Sequence, residues 1–191
     1  MPTTRTDIIL AEVASDVAAL EAGLTHKDAS IRAIALGSLD RLGKLEPRRL
    51  SDAFLDQNRD VRCRAVELAI ARPSVPLAPL LADSDDLVVE TAAWALGERE
   101  EGNSETIAAL VETASSHEVS ICREAAIAAL GAIGSEAGLP AILRGLDDRA
   151  PVRRRAVLAL APFSSPEVTE ALERATQDRD RQVRQAAEDL L

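Results

Sequence analysis

One pattern of apolar and polar positions recurs along the chain. With Val152 as position 1 of the segment 152–161, five other stretches align to it without gaps, beginning at Ile31, Val61, Val88, Cys122 and Val183. Position 1 is apolar or Cys122, position 2 is arginine except at Val89, and position 5 is always alanine (Ala35, Ala65, Ala92, Ala126, Ala156, Ala187). Positions 1, 5, 8 and 9 share one face of an α-helix. The pattern therefore predicts six similar helices starting near 31, 61, 88, 122, 152 and 183.

Successive starts differ by 30, 27, 34, 30 and 31 residues, which leaves room for a second helix in each unit and marks stacked helical repeats. A shorter apolar run precedes each inner helix, as in Pro166–Ala175, with Ser165 placed to cap it and Pro166 at the first helical position. Residues 7–24 carry Ile8, Ile9, Val13, Val17, Leu20 and Leu24 at helical spacing and predict a long or bipartite capping helix. The third outer segment holds Pro73, Pro76 and Pro79, which allow only a short or kinked helix. An acidic loop at 98–104 lengthens the next spacing, so the irregular middle of the array surrounds Trp94.

An Asp-rich turn, Val-Arg, an Ala-rich helix and then Ala-Leu-Gly is a unit that resembles the HEAT repeat, and within it the HEAT-like subclass named after phycobilisome lyases. The resemblance covers nearly the whole chain. It implies an all-α fold, a right-handed α-solenoid of about six two-helix repeats with an N-terminal cap, forming a single domain over 1–191. It also implies that inner helices line a concave side, and that aspartates of the turns pair with the position-2 arginines from turn to turn. Asp28, Asp56, Asp85, Asp147 and Asp178 are the carboxylates that precede the inner helices. The family resemblance does not choose a function, because one solenoid serves adaptors, lyase subunits and nucleic-acid enzymes.

Composition narrows the picture. Aromatic residues are 2% of the chain (Phe54, Trp94 and Phe163), so a core must be built from Leu, Val, Ile and Ala. The formal net charge of −10 argues against a phosphate-binding groove, whose energy comes from Lys and Arg. One basic cluster, Arg149 with Arg153, Arg154 and Arg155, is offset by Asp147 and Asp148. Two cysteines in non-adjacent repeats, Cys63 and Cys122, fit a reduced cytoplasm better than a disulfide. The apolar run Ile8-Ile9-Leu10 is too short for a signal core or a membrane span.

No nucleophilic constellation can be assembled around the two histidines, and no catalytic residue, cofactor or metal site is expected. His117-Glu118 is similar to the His-Glu pairs of HEAT-type deoxyhypusine hydroxylases, but several such pairs are needed and His26 is followed by Lys27. Glycines after inner helices, Gly97 and Gly131, read as C-caps.

The remaining candidate is the stripe at positions 3, 7 and 10, which points away from the alanine face. It assembles Trp94, Glu67, Glu90, Glu124, Arg154 and Leu158. A tryptophan there either anchors a partner or turns aside to fill the space beside the short third repeat. The expected function is a non-enzymatic protein-interaction scaffold or adaptor: Trp94 anchors a protein partner, the glutamates select a basic segment and Arg154 fixes its orientation. The alternatives are a tetrapyrrole (bilin) lyase or chaperone-like subunit and, third, a nucleic-acid-binding HEAT-like enzyme. A cytoplasmic monomer, or a weak homodimer through the apolar end at Leu190-Leu191, is expected, with neither nucleic acid nor membrane as partner.

Overall fold

The computed structural model describes residues 4–191, all helices and turns with no strand among them. They fall into two compact units, one ending at Leu77 and one running from Ala78 to Leu191. The division falls inside the segment that carries Pro73, Pro76 and Pro79.

The first unit contains α1 (Arg5–Val13), α2 (Val17–Gly23), α3 (Ala29–Arg41), α4 (Pro47–Ala53) and α5 (Arg59–Ala69). The N-terminal run is bipartite. It breaks at Ser15, whose φ of 54° is left-handed, and Asp16 then caps α2 by accepting from the Ala19 N–H. Thr4 and Asp7 form a reciprocal capping box on α1. Helices α1 and α2 both pack on α3, burying Ile8, Leu20, Ile31 and Leu39. Ser38 is fully buried there, and its hydroxyl donates to Glu12 Oε2 at 2.6 Å while Arg41 grips the same carboxylate. Arg41 and Ser38 together hold the Glu12 carboxyl well down, at about 2.

The second unit opens with a 3-10 turn, Ala78–Ala82, where the prolines leave no room for an α-helix. It continues through α6 (Asp86–Glu98), α7 (Ser104–Ser116), α8 (Ser120–Ile133), α9 (Leu139–Gly145), α10 (Ala150–Ala159), α11 (Pro166–Ala175) and α12 (Arg181–Glu188). The inner helices α6, α8, α10 and α12 pack each on the next, while the 3-10 turn, α7, α9 and α11 lie against the helices that follow them. The invariant alanine is fully buried in this unit: Ala92, Ala126, Ala156 and Ala187 are all inaccessible. Val88, Leu96, Ile127, Leu130, Val152 and Leu160 fill the space around them.

Gly97 and Gly131 are not C-caps. Both lie inside their helices, and a Cβ on Gly131 would stand 2.6 Å from Ala159 Cβ and 2.7 Å from Ala159 Cα. Glycine lets α8 approach α10 at that point. The left-handed cap of α8 is Gly134, at φ 67°.

The position-2 arginines bind as forks. Arg32 meets Asp56 through Nε and Nη2 at 2.7 Å each, and Arg123 meets Asp148 at 2.6 and 2.8 Å. Arg153 meets Asp178 at 2.7 and 2.8 Å. The third nitrogen of each donates to a carbonyl of the arginine's own turn, His26, His117 and Asp148 respectively. Each aspartate thus joins one repeat to the next, and its carboxyl is held below the usual range. For Asp148 and Asp178 the arginine is the largest cause, whereas at Asp56 the hydrogen bonds from Arg32 and Asn58 outweigh a large opposing cost of burial.

Three of the expected turn carboxylates differ. Asp28 and Asp85 cap α3 and α6, accepting from the Ser30 and Leu87 N–H groups. In the fifth repeat Asp148 takes the arginine, and Asp147 is exposed. The turn between α9 and α10 spans 146–149, one residue fewer than 54–58 or 176–180, and the reaching carboxylate moves one place along.

Within the second unit the Arg–Asp ladder has a gap at α6. Val89 replaces arginine in α6 and is fully buried, and the turn position that would carry its aspartate holds His117. His117 Nδ1 accepts from the Val119 N–H at 3.2 Å, as Asp178 accepts from the Asp180 N–H. A carboxylate there would be part-buried without its cation, and a neutral imidazole supplies the same acceptor at less cost. His26 does likewise for the Asp28 N–H in the first repeat, where no arginine-bearing copy precedes it in the alignment.

Candidate functional site

The side chains at positions 3 and 7 of the inner helices leave the packed face, because successive residues rotate about 100° and these positions lie opposite the buried alanine. In the second unit this exposes Trp94, which is 48% accessible, and Leu158, which is 40% accessible. Trp94 therefore does not turn aside to fill space beside the short third repeat. That space is closed by Leu80 and Leu81 of the 3-10 turn, which packs on α6.

Trp94 lines a hollow of about 280 Å³ between α6 and α8, with Glu90, Ile121, Glu124, Ala128 and Arg155 around it. A second hollow of about 400 Å³ lies along α10, between Glu124 of α8 and the start of α12, and is lined by Glu124, Pro151, Arg154, Arg155, Leu158 and Asp180. Glu124 and Arg155 belong to both, their charged ends 3.5 Å apart. No cation pairs with Glu90 among the described residues, and none of their carboxylates pairs with Arg154. The structure thus brings Trp94, Glu90, Glu124, Arg154 and Leu158 onto one face of one unit. Glu67 lies in the first unit, where it lines a separate hollow of about 460 Å³ and pairs with Arg64 at 2.8 Å.

Sequence reasoning missed Ile121 and Arg155. Ile121 is 46% exposed and widens the apolar floor beside Trp94. It stands one residue before position 1, a place the stripe of positions 3, 7 and 10 does not include. Half of the basic cluster is engaged within the fold, Arg153 buried on Asp178 and Arg155 facing Glu124, while Arg149 and Arg154 are exposed.

His117 meets side chains other than Glu118. Asp86 at the start of α6, His117 at the end of α7 and Cys122 in the first turn of α8 place one potential ligand atom each within 4.8 Å of one another. Cys122 is inaccessible to solvent, and its thiol donates to the Asp86 carbonyl at 3.4 Å. Burial, with the negative charges of Asp86 and Glu90, pushes the thiol up to about 11. Burial and the raised pKa both disfavour a nucleophilic role for this thiol. Cys63 is also buried, and neither cysteine forms a disulfide.

Matches to the family model for HEAT repeats span residues 47–131, 74–161 and 123–191, together about three-quarters of the chain. The chain belongs to the HEAT-repeat family. Among solved structures it is similar to an engineered protein at TM-score 0.63 and 22% identity, covering 92% of this chain and 97% of that one. A designed armadillo repeat protein matches at TM-score 0.59 and 19% identity, covering 92% and 98%. Human deoxyhypusine hydroxylase in complex with glycerol matches at TM-score 0.52 and 20% identity, covering 96% of this chain and 75% of that one. At these identities the HEAT-repeat chain shares a solenoid fold with them and nothing further. No curated protein matches it in sequence. No helix among its described residues is long and apolar enough to cross a membrane.

Proposed function

We propose that this HEAT-repeat protein is a non-enzymatic interaction scaffold whose second unit holds an extended segment of a protein partner across α6, α8 and α10. The observation that carries this reading is the half-exposed indole of Trp94, set between the apolar Ile121 and the carboxylates of Glu90 and Glu124. Such a hollow suits an aliphatic or aromatic side chain on its floor and a lysine or arginine at its rim. The neighbouring hollow supplies Leu158 for a second apolar contact and Arg154 for a carboxylate or a backbone carbonyl. Helices packed about 8–10 Å apart would be crossed by an extended chain rising about 3.3 Å per residue, so successive anchors should recur about every third residue.

The test is selection of a random peptide display library on the wild-type protein, with Trp94→Ala as counter-screen. Enriched peptides should carry a basic residue beside an apolar one, blue-shift the emission of the single tryptophan, and bind Trp94→Ala at least about tenfold more weakly. Peptides that bind both proteins equally would refute the placement of the site. Selection of acidic peptides would refute the role of Glu90 and Glu124.

A further inference from the structure

Two departures from the repeat coincide at one corner of the second unit. Position 1 of the inner helices is valine or isoleucine in five copies and cysteine only at Cys122. In the same repeat the turn aspartate is replaced by His117, and the preceding repeat has lost the arginine that would have paired with it. Packing α8 on α6 then brings in a third group from 36 residues away, the Asp86 carboxylate. A thiol, an imidazole and a carboxylate converge at the corner where the turn ladder of this unit has no Arg–Asp fork.

We propose that Asp86, His117 and Cys122 form a zinc(II) site, with a fourth position left to solvent. The donor set is one sulfur, one nitrogen and one oxygen, which suits a borderline-soft tetrahedral ion and not calcium or magnesium, which take oxygen shells. Tetrahedral zinc with bonds of about 2.0–2.3 Å sets its ligand atoms about 3.3–3.7 Å apart. His117 Nε2 and Asp86 Oδ1 are 3.9 Å apart and all three groups lie within 4.8 Å, so closure needs side-chain shifts of about an ångström or less. Asp86 is 56% exposed and opens the corner to solvent, whereas Cys122 lies at its base.

Proton balance is simple. Without metal, His117 Nδ1 accepts from the Val119 N–H, so the neutral ring carries its proton on Nε2. Binding through Nε2 in the present ring orientation shifts that proton through solvent to Nδ1, so the ring stays neutral and the Val119 N–H gives up this acceptor to water. The one proton released is that of the Cys122 thiol, displaced by the Zn–S bond. Affinity therefore falls as pH falls. The ion would join the start of α6, the end of α7 and the first turn of α8, where the ladder supplies no ion pair.

His26 is an internal control, because the first repeat has the same turn histidine but Ile31 in place of the cysteine. The experiment is titration of the metal-free full chain with cobalt(II) as a spectroscopic stand-in, followed by zinc(II) in competition with a chromophoric chelator. One equivalent of cobalt should give a thiolate-to-metal charge-transfer band that zinc abolishes. The band should be absent in Cys122→Ser and His117→Asn, and retained in Cys63→Ser and His26→Asn. His117→Asn keeps an acceptor for the Val119 N–H, and Asp86→Asn changes an exposed side chain, so both should fold as the wild type does. Asp86→Asn should weaken zinc binding by about tenfold or more. No band in the wild type, a band that survives in Cys122→Ser, or unchanged zinc affinity in Asp86→Asn would overturn the site.

Discussion

Replacing Arg153 by methionine tests how much one rung of the ladder stabilises the second unit. The guanidinium makes three charge-assisted hydrogen bonds of 2.7–2.8 Å, two to Asp178 and one to the Asp148 carbonyl. Its side chain is 6% exposed and that of Asp178 14%. Methionine keeps most of the apolar stem but strands a carboxylate in a mostly closed turn. Removing one partner of a buried pair costs about 3–5 kcal/mol. Asp178 retains the Asp180 N–H at 2.7 Å and an edge open to water, so the expected loss is about 2–3 kcal/mol. Asp178→Asn should cost about as much, and the double variant less than the sum, with a coupling of about 1–2 kcal/mol. Urea unfolding followed by circular dichroism at neutral pH measures all three. Hydrogen exchange should show the loss concentrated in the turn at 176–180 and in α12, because solenoid repeats couple chiefly to their neighbours. Asp178 has a lowered carboxyl pKa, so the rung contributes above the ordinary aspartate range near pH 4 and fades as pH falls through the folded value. The wild-type advantage should shrink accordingly. Additivity in the cycle, or a single-variant cost under about 0.5 kcal/mol, would refute the claim that the forks hold the repeats together.

Glu12 extends the same logic to the first unit: with a carboxyl near 2 instead of 4.5, its contribution is complete above about pH 4.5 and lost between there and about 2. Acid titration should therefore expose α1 in that window, and Glu12→Gln should remove the part of the pH dependence assigned to it. Gly131→Ala forces a methyl onto the Ala159 backbone and should destabilise by about 1–3 kcal/mol in thermal or urea unfolding. At Gly37 the new methyl would meet only the guanidinium ends of Arg64 and Arg41, so Gly37→Ala should be neutral or stabilise by up to about 1 kcal/mol. Equal effects at the two glycines would refute the close-approach argument. The single tryptophan should emit as a solvent-exposed indole and be quenched readily by acrylamide; a blue emission resistant to quenching would place it in the core.

The helices and their repetition were legible in the chain because periodicity is local: an apolar position 1 and an alanine at position 5 face the same way wherever the helix ends up. The arginine at position 2 was equally legible, since its partner is a short turn in the next copy. Which carboxylate answers it was not. Asp148 and not Asp147 meets Arg123 because the turn 146–149 is one residue shorter than its counterparts, a matter of reach and not of pattern. Trp94 could be named from the sequence, but its exposure depended on Leu80 and Leu81 closing the space below it, and Ile121 and Arg155 joined it only through the packing of α6, α8 and α10. The two glycines read as caps proved to be contact points, because a neighbouring backbone is invisible to a one-dimensional pattern. By itself the sequence determined the repeated helix and its charged turn. The tertiary structure decided what those repeats bring together, Asp86 with His117 and Cys122 above all, since contact across stacked helices depends on three-dimensional distance between residues far apart in the chain.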